Sequence, residues 1–179
     1  MHMVMTHYNN PLFFTGFMVL VFLALPLCGR ADVGVVVGST PSSFEERHRE
    51  SYLLGKRLSP EEVDTLLGFL LRAAKTDGTG GAELATLKNN VADALLQQEV
   101  LPPRLFDTFT KGFADHRQGE VWREYIVQKL PELALRLSGA PQKKVLAFLR
   151  ERTKDTDSIF AGTALIGLDR LHSAKPDLV

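Results

Sequence analysis

The chain has one cysteine, Cys28, and it falls inside an apolar N-terminal run. A single thiol closes no disulfide framework and builds no cysteine metal site, so the fold must be held by packing. Lysine plus arginine and aspartate plus glutamate stand at 21 each, a formal net charge of zero. Bulk electrostatics therefore argue for neither nucleic acid nor a strongly charged substrate, and nucleic acid is not an expected partner. Histidine is also scarce: His2, His7, His48, His116 and His172 form no H-x-x-x-H or H-E-x-x-H pair, so no local zinc site is visible. Strand-like alternation is missing from residue 43 onward. What is present is 45% hydrophobic residues in 179, enough to build the core of one ordinary domain.

The longest apolar stretch, residues 12–28, reads LFFTGFMVLVFLALPLC and is densest from Phe17 to Leu25. Its length suits a secretory signal, and Gly29-Arg30-Ala31 puts small residues at both positions a leader peptidase inspects, with Asp32 as the first mature residue. Residues 1–31 are accordingly read as a signal peptide, and the protein as exported, periplasmic or secreted. The first ten residues hold no Lys or Arg, so an uncleaved membrane anchor through residues 12–28 stands as the alternative. A lipoprotein reading of Leu25-Pro26-Leu27-Cys28 has leucine where a small residue should precede the cysteine. Residues 32–42 follow with a valine run and no partner strand, which predicts a flexible linker.

Helical patterns then take over. Ser43-Phe44-Glu45-Glu46 is a capping-box pattern that opens an N-terminal capping helix over residues 43–57. Ser59-Pro60-Glu61-Glu62 is a second start signal, and Val63, Leu66, Leu67, Leu70 and Leu71 give the stripe of a helix with one buried face. The glycine-rich run Asp77-Gly78-Thr79-Gly80-Gly81 separates it from a partner helix near residues 82–98. That run lacks both a preceding strand and the Gly-Lys-Ser/Thr of a phosphate loop, so it reads as a plain turn. The same order of events recurs after Pro103 and after Pro141, with breaks at residues 115–119 and 154–157.

Aligned second helices share a face: Leu87, Val91 and Leu95 correspond to Trp122, Ile126 and Leu130, then to Phe160, Ala164 and Leu168. Pro131 is expected to kink or interrupt its helix. Gly162 is placed in the last interhelical contact, where Gly162→Leu should overpack. The roughly 40-residue interval matches two-helix solenoid repeats.

With an aspartate in the turn at Asp115 and Asp157 and an apolar residue following in the second helix, residues 58–175 resemble the HEAT-like repeats of α-solenoid proteins. That resemblance implies an all-α chain of about three helix-turn-helix repeats and a noncatalytic scaffold that binds a protein partner through an exposed helix face, with no cofactor and no metal. An irregular helical bundle is the structural rival. The residues proposed for partner contact are Trp122, Arg123 and Glu124 with His116 and Arg117 of the adjacent turn. An aromatic edged by Arg and Glu suits recognition, while the plainer reading of Trp122 is core. Some HEAT-like proteins excise damaged bases, so the alternative function is a small extracytoplasmic enzyme, a hydrolase or a nucleic-acid-processing protein. No acid, base and nucleophile converge in the sequence to support it.

Overall fold

The computed structural model describes residues 31–73 and 80–178. These residues form α-helices and a terminal 3-10 turn, Pro176–Leu178, and no strand is found among them. The order is α1 (Val33–Val36), α2 (Phe44–Tyr52), α3 (Pro60–Leu70), α4 (Gly81–Leu96), α5 (Leu105–Ala114), α6 (Glu120–Arg136), α7 (Gly139–Arg152) and α8 (Ser158–Ala174). The apolar segment 12–28 and the centre of the glycine-rich turn lie outside the described residues. No helix of the described residues is long and apolar enough to cross a membrane.

Local chemistry sets the helix starts. Ser43 accepts from the Glu46 N–H while the Glu46 carboxylate accepts from Ser43, and Ser59 with Glu62 repeats the arrangement. Each box satisfies two exposed N–H groups and puts an acid at the positive end of the helix. Pro60 takes the first helical position, where its missing N–H costs nothing. Helix α7 begins at Gly139 with φ of 62°, a left-handed conformation that glycine adopts without strain.

The helices pack as two layers. α2, α4, α6 and α8 lie side by side in sequence order, and α3, α5 and α7 each fold back on the following member of that row. The shared face read from sequence is the one buried: Leu87, Val91, Leu95, Trp122, Ile126, Leu130, Phe160 and Ala164 are in the core, and Leu168 packs against it. This apolar seam between layers is the main source of stability, at roughly 1.5 to 3 kcal/mol for each large apolar side chain removed from water.

Three expectations are corrected. Residues 32–42 are not a free linker: Val33–Val36 is helical, and Val33, Val36 and Val37 belong to the core. A strand partner is unnecessary because Arg47 Nε donates to the Val36 carbonyl at 3.1 Å and the Arg72 guanidinium donates to the Val37 carbonyl at 2.5 Å. Of the two outcomes expected at Pro131, a kink or an interruption, the interruption is overturned: α6 runs through it from Glu120 to Arg136. Its ring is buried against α8, and that contact offsets the backbone hydrogen bond the imino nitrogen cannot make.

The third correction concerns glycine. Gly162 faces open space, whereas a methyl group at Gly167 would sit 2.8 Å from Pro131 Cγ and 3.8 Å from Leu149 Cδ2. The tight spot on α8 is five residues later than its sequence suggested. In urea denaturation, Gly167→Ala should lower stability by about 1 to 3 kcal/mol through overpacking against a rigid ring. Gly162→Ala should be neutral or stabilising by up to about 1 kcal/mol, because only helix propensity changes. Equal effects at both positions would contradict the α6–α8 packing described here.

Candidate interaction surface

The five residues singled out from sequence do not converge. Trp122 is 2% exposed, so it presents no surface to a partner, and its assignment to a recognition edge is corrected. Its ring meets Phe109 edge-on at 6.3 Å and stacks on Tyr125 at 6.3 Å. Gly112 leaves room for it: a Cβ there would lie 3.5 Å from the indole nitrogen. The indole N–H finds no hydrogen-bond acceptor among the described residues.

Arg123 points elsewhere. Its Nε donates to the Phe113 carbonyl at 2.8 Å, and its guanidinium lies 4.9 Å from the Phe113 ring centre and 4.8 Å from that of Phe160. Arg152 lies over Phe113 and Phe148 at 5.1 and 5.0 Å, so two cations are seated on three packed rings at the junction of α5, α6, α7 and α8. Each such contact contributes roughly 0.5 to 2 kcal/mol according to its exposure. Arg123 is thus a structural rivet.

His116 and Arg117 are exposed in the α5–α6 turn. Arg117 is held by Asp115, with Nε to Oδ1 at 2.9 Å and Nη2 to Oδ2 at 3.1 Å. Hydrogen bonds from the Arg117 side chain and backbone hold the Asp115 carboxyl down at about 2. The pair fixes the turn locally.

Glu124 reaches a groove between α6 and α8. Its carboxylate accepts from the Thr163 hydroxyl at 3.3 Å and from Gln128 at 3.5 Å. It lines a shallow groove of about 230 Å³ between α6 and α8 with Gln128, Thr163, Ile166, Gly167 and Arg170. A second groove of about 260 Å³ lies between α2 and α4, lined by Ser51, Tyr52, Leu54, Asn90, Asp93, Ala94 and Gln97.

Asp93, which lines the α2–α4 groove, bonds to α6. It accepts from the Tyr125 hydroxyl at 2.7 Å and pairs with Lys129 Nζ at 2.6 Å, both from α6. Burial, the hydrogen bond to Asp93 and the nearby charges of Asp93 and Glu132 push the Tyr125 hydroxyl well above the ordinary phenol range, so it stays a neutral donor. Asn90 donates to the Ser51 hydroxyl at 2.9 Å and continues the polar row onto α2. The row α2, α4, α6 and α8, the second-helix layer, thus carries polar contacts between each pair of neighbours, and Tyr52 (67% exposed) and Ile166 (56% exposed) line its two grooves.

The most unusual chemistry lies on the inner side. Lys88, on α4, is 1% exposed; its ammonium donates to the Arg72 carbonyl and to Gln118 Oε1, the latter at 2.5 Å, and lies 5.5 Å from the Trp122 ring centre. Gln118 in turn donates to the Leu71 carbonyl at 3.0 Å. Desolvation lowers Lys88 to about 8, against which the Asp115 charge works. The spacing carried a signal for this burial: Lys88 sits four residues after Leu84 and three before Val91, inside the apolar stripe of α4. No metal-sized group of His, Cys, Asp and Glu occurs among the described residues.

Comparison with protein-family models, with curated proteins and with solved structures finds no match for this chain. The described residues define an all-helical, two-layer protein.

Lys88 yields a pH prediction. Its pKa is depressed from 10.5 in the unfolded chain to about 8 in the fold, so below pH 8 both states hold the proton and the folded state bears the full burial cost. Between those values the unfolded state binds more protons, and stability should rise with pH by up to about 3 kcal/mol relative to Lys88→Met. Urea melts of both proteins from pH 7 to 10.5 measure this difference. A flat difference would mean that the amine is hydrated rather than buried.

Proposed function

We propose that this protein is an exported or membrane-tethered, noncatalytic helical-repeat scaffold of the HEAT-like kind, and that it binds a protein partner along the outer side of its second-helix layer. The observation that carries the reading is the pair of shallow grooves between members of the row, α2–α4 with Tyr52 and Asp93 and α6–α8 with Glu124 and Ile166, with Asp93, Tyr125 and Lys129 bonded between α4 and α6.

The physics favours recognition of an extended protein surface. Both grooves are open and smaller than the roughly 300 to 1,000 Å³ of a small-molecule site. Exposed Tyr and Ile beside already ordered polar groups offer apolar area with little side-chain entropy left to lose. The packing of α3, α5 and α7 behind the row α2, α4, α6 and α8 is compatible with stacked two-helix repeats. In such an array the second helices present a common face.

The test is a partner captured from the native envelope by the full-length protein, then measured against variants. Ile166→Glu should weaken its binding at least tenfold, by putting a charge into the apolar part of the contact, and Tyr52→Ala should weaken it similarly. Lys144→Ala, on exposed α7, should leave binding unchanged. Loss of binding in Lys144→Ala with retention in Ile166→Glu would place the interface on the other layer and overturn the proposal.

A further inference from the structure

The N-terminal end of the described chain holds an arrangement that the partner-binding face does not use. Asp32 accepts the Gly34 and Val35 N–H groups on its side chain and so caps α1, while its own backbone N–H donates to Glu50 Oε2 of α2 at 3.2 Å. Glu50 is mostly covered, and its other oxygen lies 3.7 Å from Arg49 Nε. Downstream, Arg47 and Arg72 hold the Val36 and Val37 carbonyls. Residues 32–37 are thus a strap tied to α2 at its first atom and, at its end, to α2 and to Arg72 just beyond α3.

That first atom is the nitrogen of the bond which the small residues Gly29 and Ala31 mark for a leader peptidase. We infer that the Ala31–Asp32 bond is a processing site and that Glu50 is the receptor for the amino terminus it creates. Hydrolysis adds one water across the bond, leaving a carboxylate on Ala31 and an ammonium on Asp32. The hydrogen bond from a neutral amide to the Glu50 carboxylate then becomes an ammonium–carboxylate pair with the heavy atoms already in place. Ala31 is 4% exposed in the fold, so cleavage must precede docking of the strap, as it does when a leader is removed from a translocating chain.

The other charges near the new terminus come from three places: the Asp32 carboxylate itself; Arg49 beside Glu50; and Lys56, Arg57 and Glu99, which share a groove with Ala31. Arg57 is already paired with Glu99 at 2.6 Å, so Glu50 is the carboxylate in direct contact. Its effect is to raise the α-amino pKa above the ordinary value of about 8. A raised value means that the added stability is complete below pH 8 and is lost as pH rises through the folded pKa.

The inference rests on the export part of the proposed function and is independent of its partner-binding part. Full-length protein and its Glu50→Gln variant are expressed in an exporting host. The N-terminal residue of each is read by mass spectrometry, and the α-amino pKa is measured by pH-dependent amine labelling. Asp32 should be the first residue, with an α-amino pKa above 8 in the wild type and at least half a unit lower in Glu50→Gln, at unchanged helix content. An uncut chain or another first residue overturns the processing site together with the export reading. A free Asp32 with an ordinary pKa in the wild-type protein overturns the Glu50 receptor and leaves export standing, whether or not the Glu50→Gln variant folds.

Discussion

A helix leaves its last carbonyls without partners, and in this protein side chains from neighbouring elements supply the missing donors. The end of α1 is held by Arg47 and Arg72, the end of α3 by Lys88 and Gln118, the end of α4 by Arg136, and the end of α6 by Gln142. Gln98 does the same between α2 and α3, donating to the Gly55 carbonyl and accepting from the Leu58 N–H at 2.9 Å. Apolar packing provides the free energy, but it tolerates sliding. A carbonyl that must meet one amide or one cation does not, so these bonds set the register of each helix against the next.

Burying a lysine for this purpose has a cost that a glutamine does not. At neutral pH Lys88 carries a charge into a site shared with the face of Trp122, and its depressed pKa records the desolvation. The arrangement still works because both forms of the amine can donate to two acceptors, the Arg72 carbonyl and Gln118. Loss of the charge therefore leaves the bonds in place, and only the penalty disappears. The face of Trp122 covers this site, and the single tryptophan belongs to the core although Arg123 and Glu124 follow it in sequence.

Much of this was legible. Ser43 with Glu46 and Ser59 with Glu62 announced two helix starts because capping is a local reaction between side chain and backbone. The stripe through Leu87, Trp122 and Phe160 announced a common buried face because burial follows helix period. What failed depended on contacts between distant elements. The valine run could be placed only by knowing that Arg47 and Arg72 wait for its carbonyls, and Pro131 could be tolerated only by knowing that Gly167 lies opposite. Arg123 and Glu124 are adjacent in sequence yet serve different purposes, since helical geometry turns neighbours by about 100°. One is pinned under the rings of Phe113 and Phe160, and the other opens onto the α6–α8 groove.

The same division separates the protein's inner and outer polar residues. On the inside, Lys88, Gln98, Gln118 and Gln142 tie helix ends and are consumed by the fold. On the outer side of the second-helix layer, Asp93 bonds to Tyr125 and Lys129 across α4 and α6, and Glu124 bonds to Thr163 across α6 and α8, leaving helix ends alone. Such a network adds little to stability where it meets water, because exposed ion pairs contribute roughly 0 to 1 kcal/mol. Its consequence is geometric: it fixes the orientation of side chains on a face that packing has already made rigid. On the partner-binding reading proposed above, ordered polar groups beside the exposed Tyr52 and Ile166 would reduce the binding free energy lost to ordering that face.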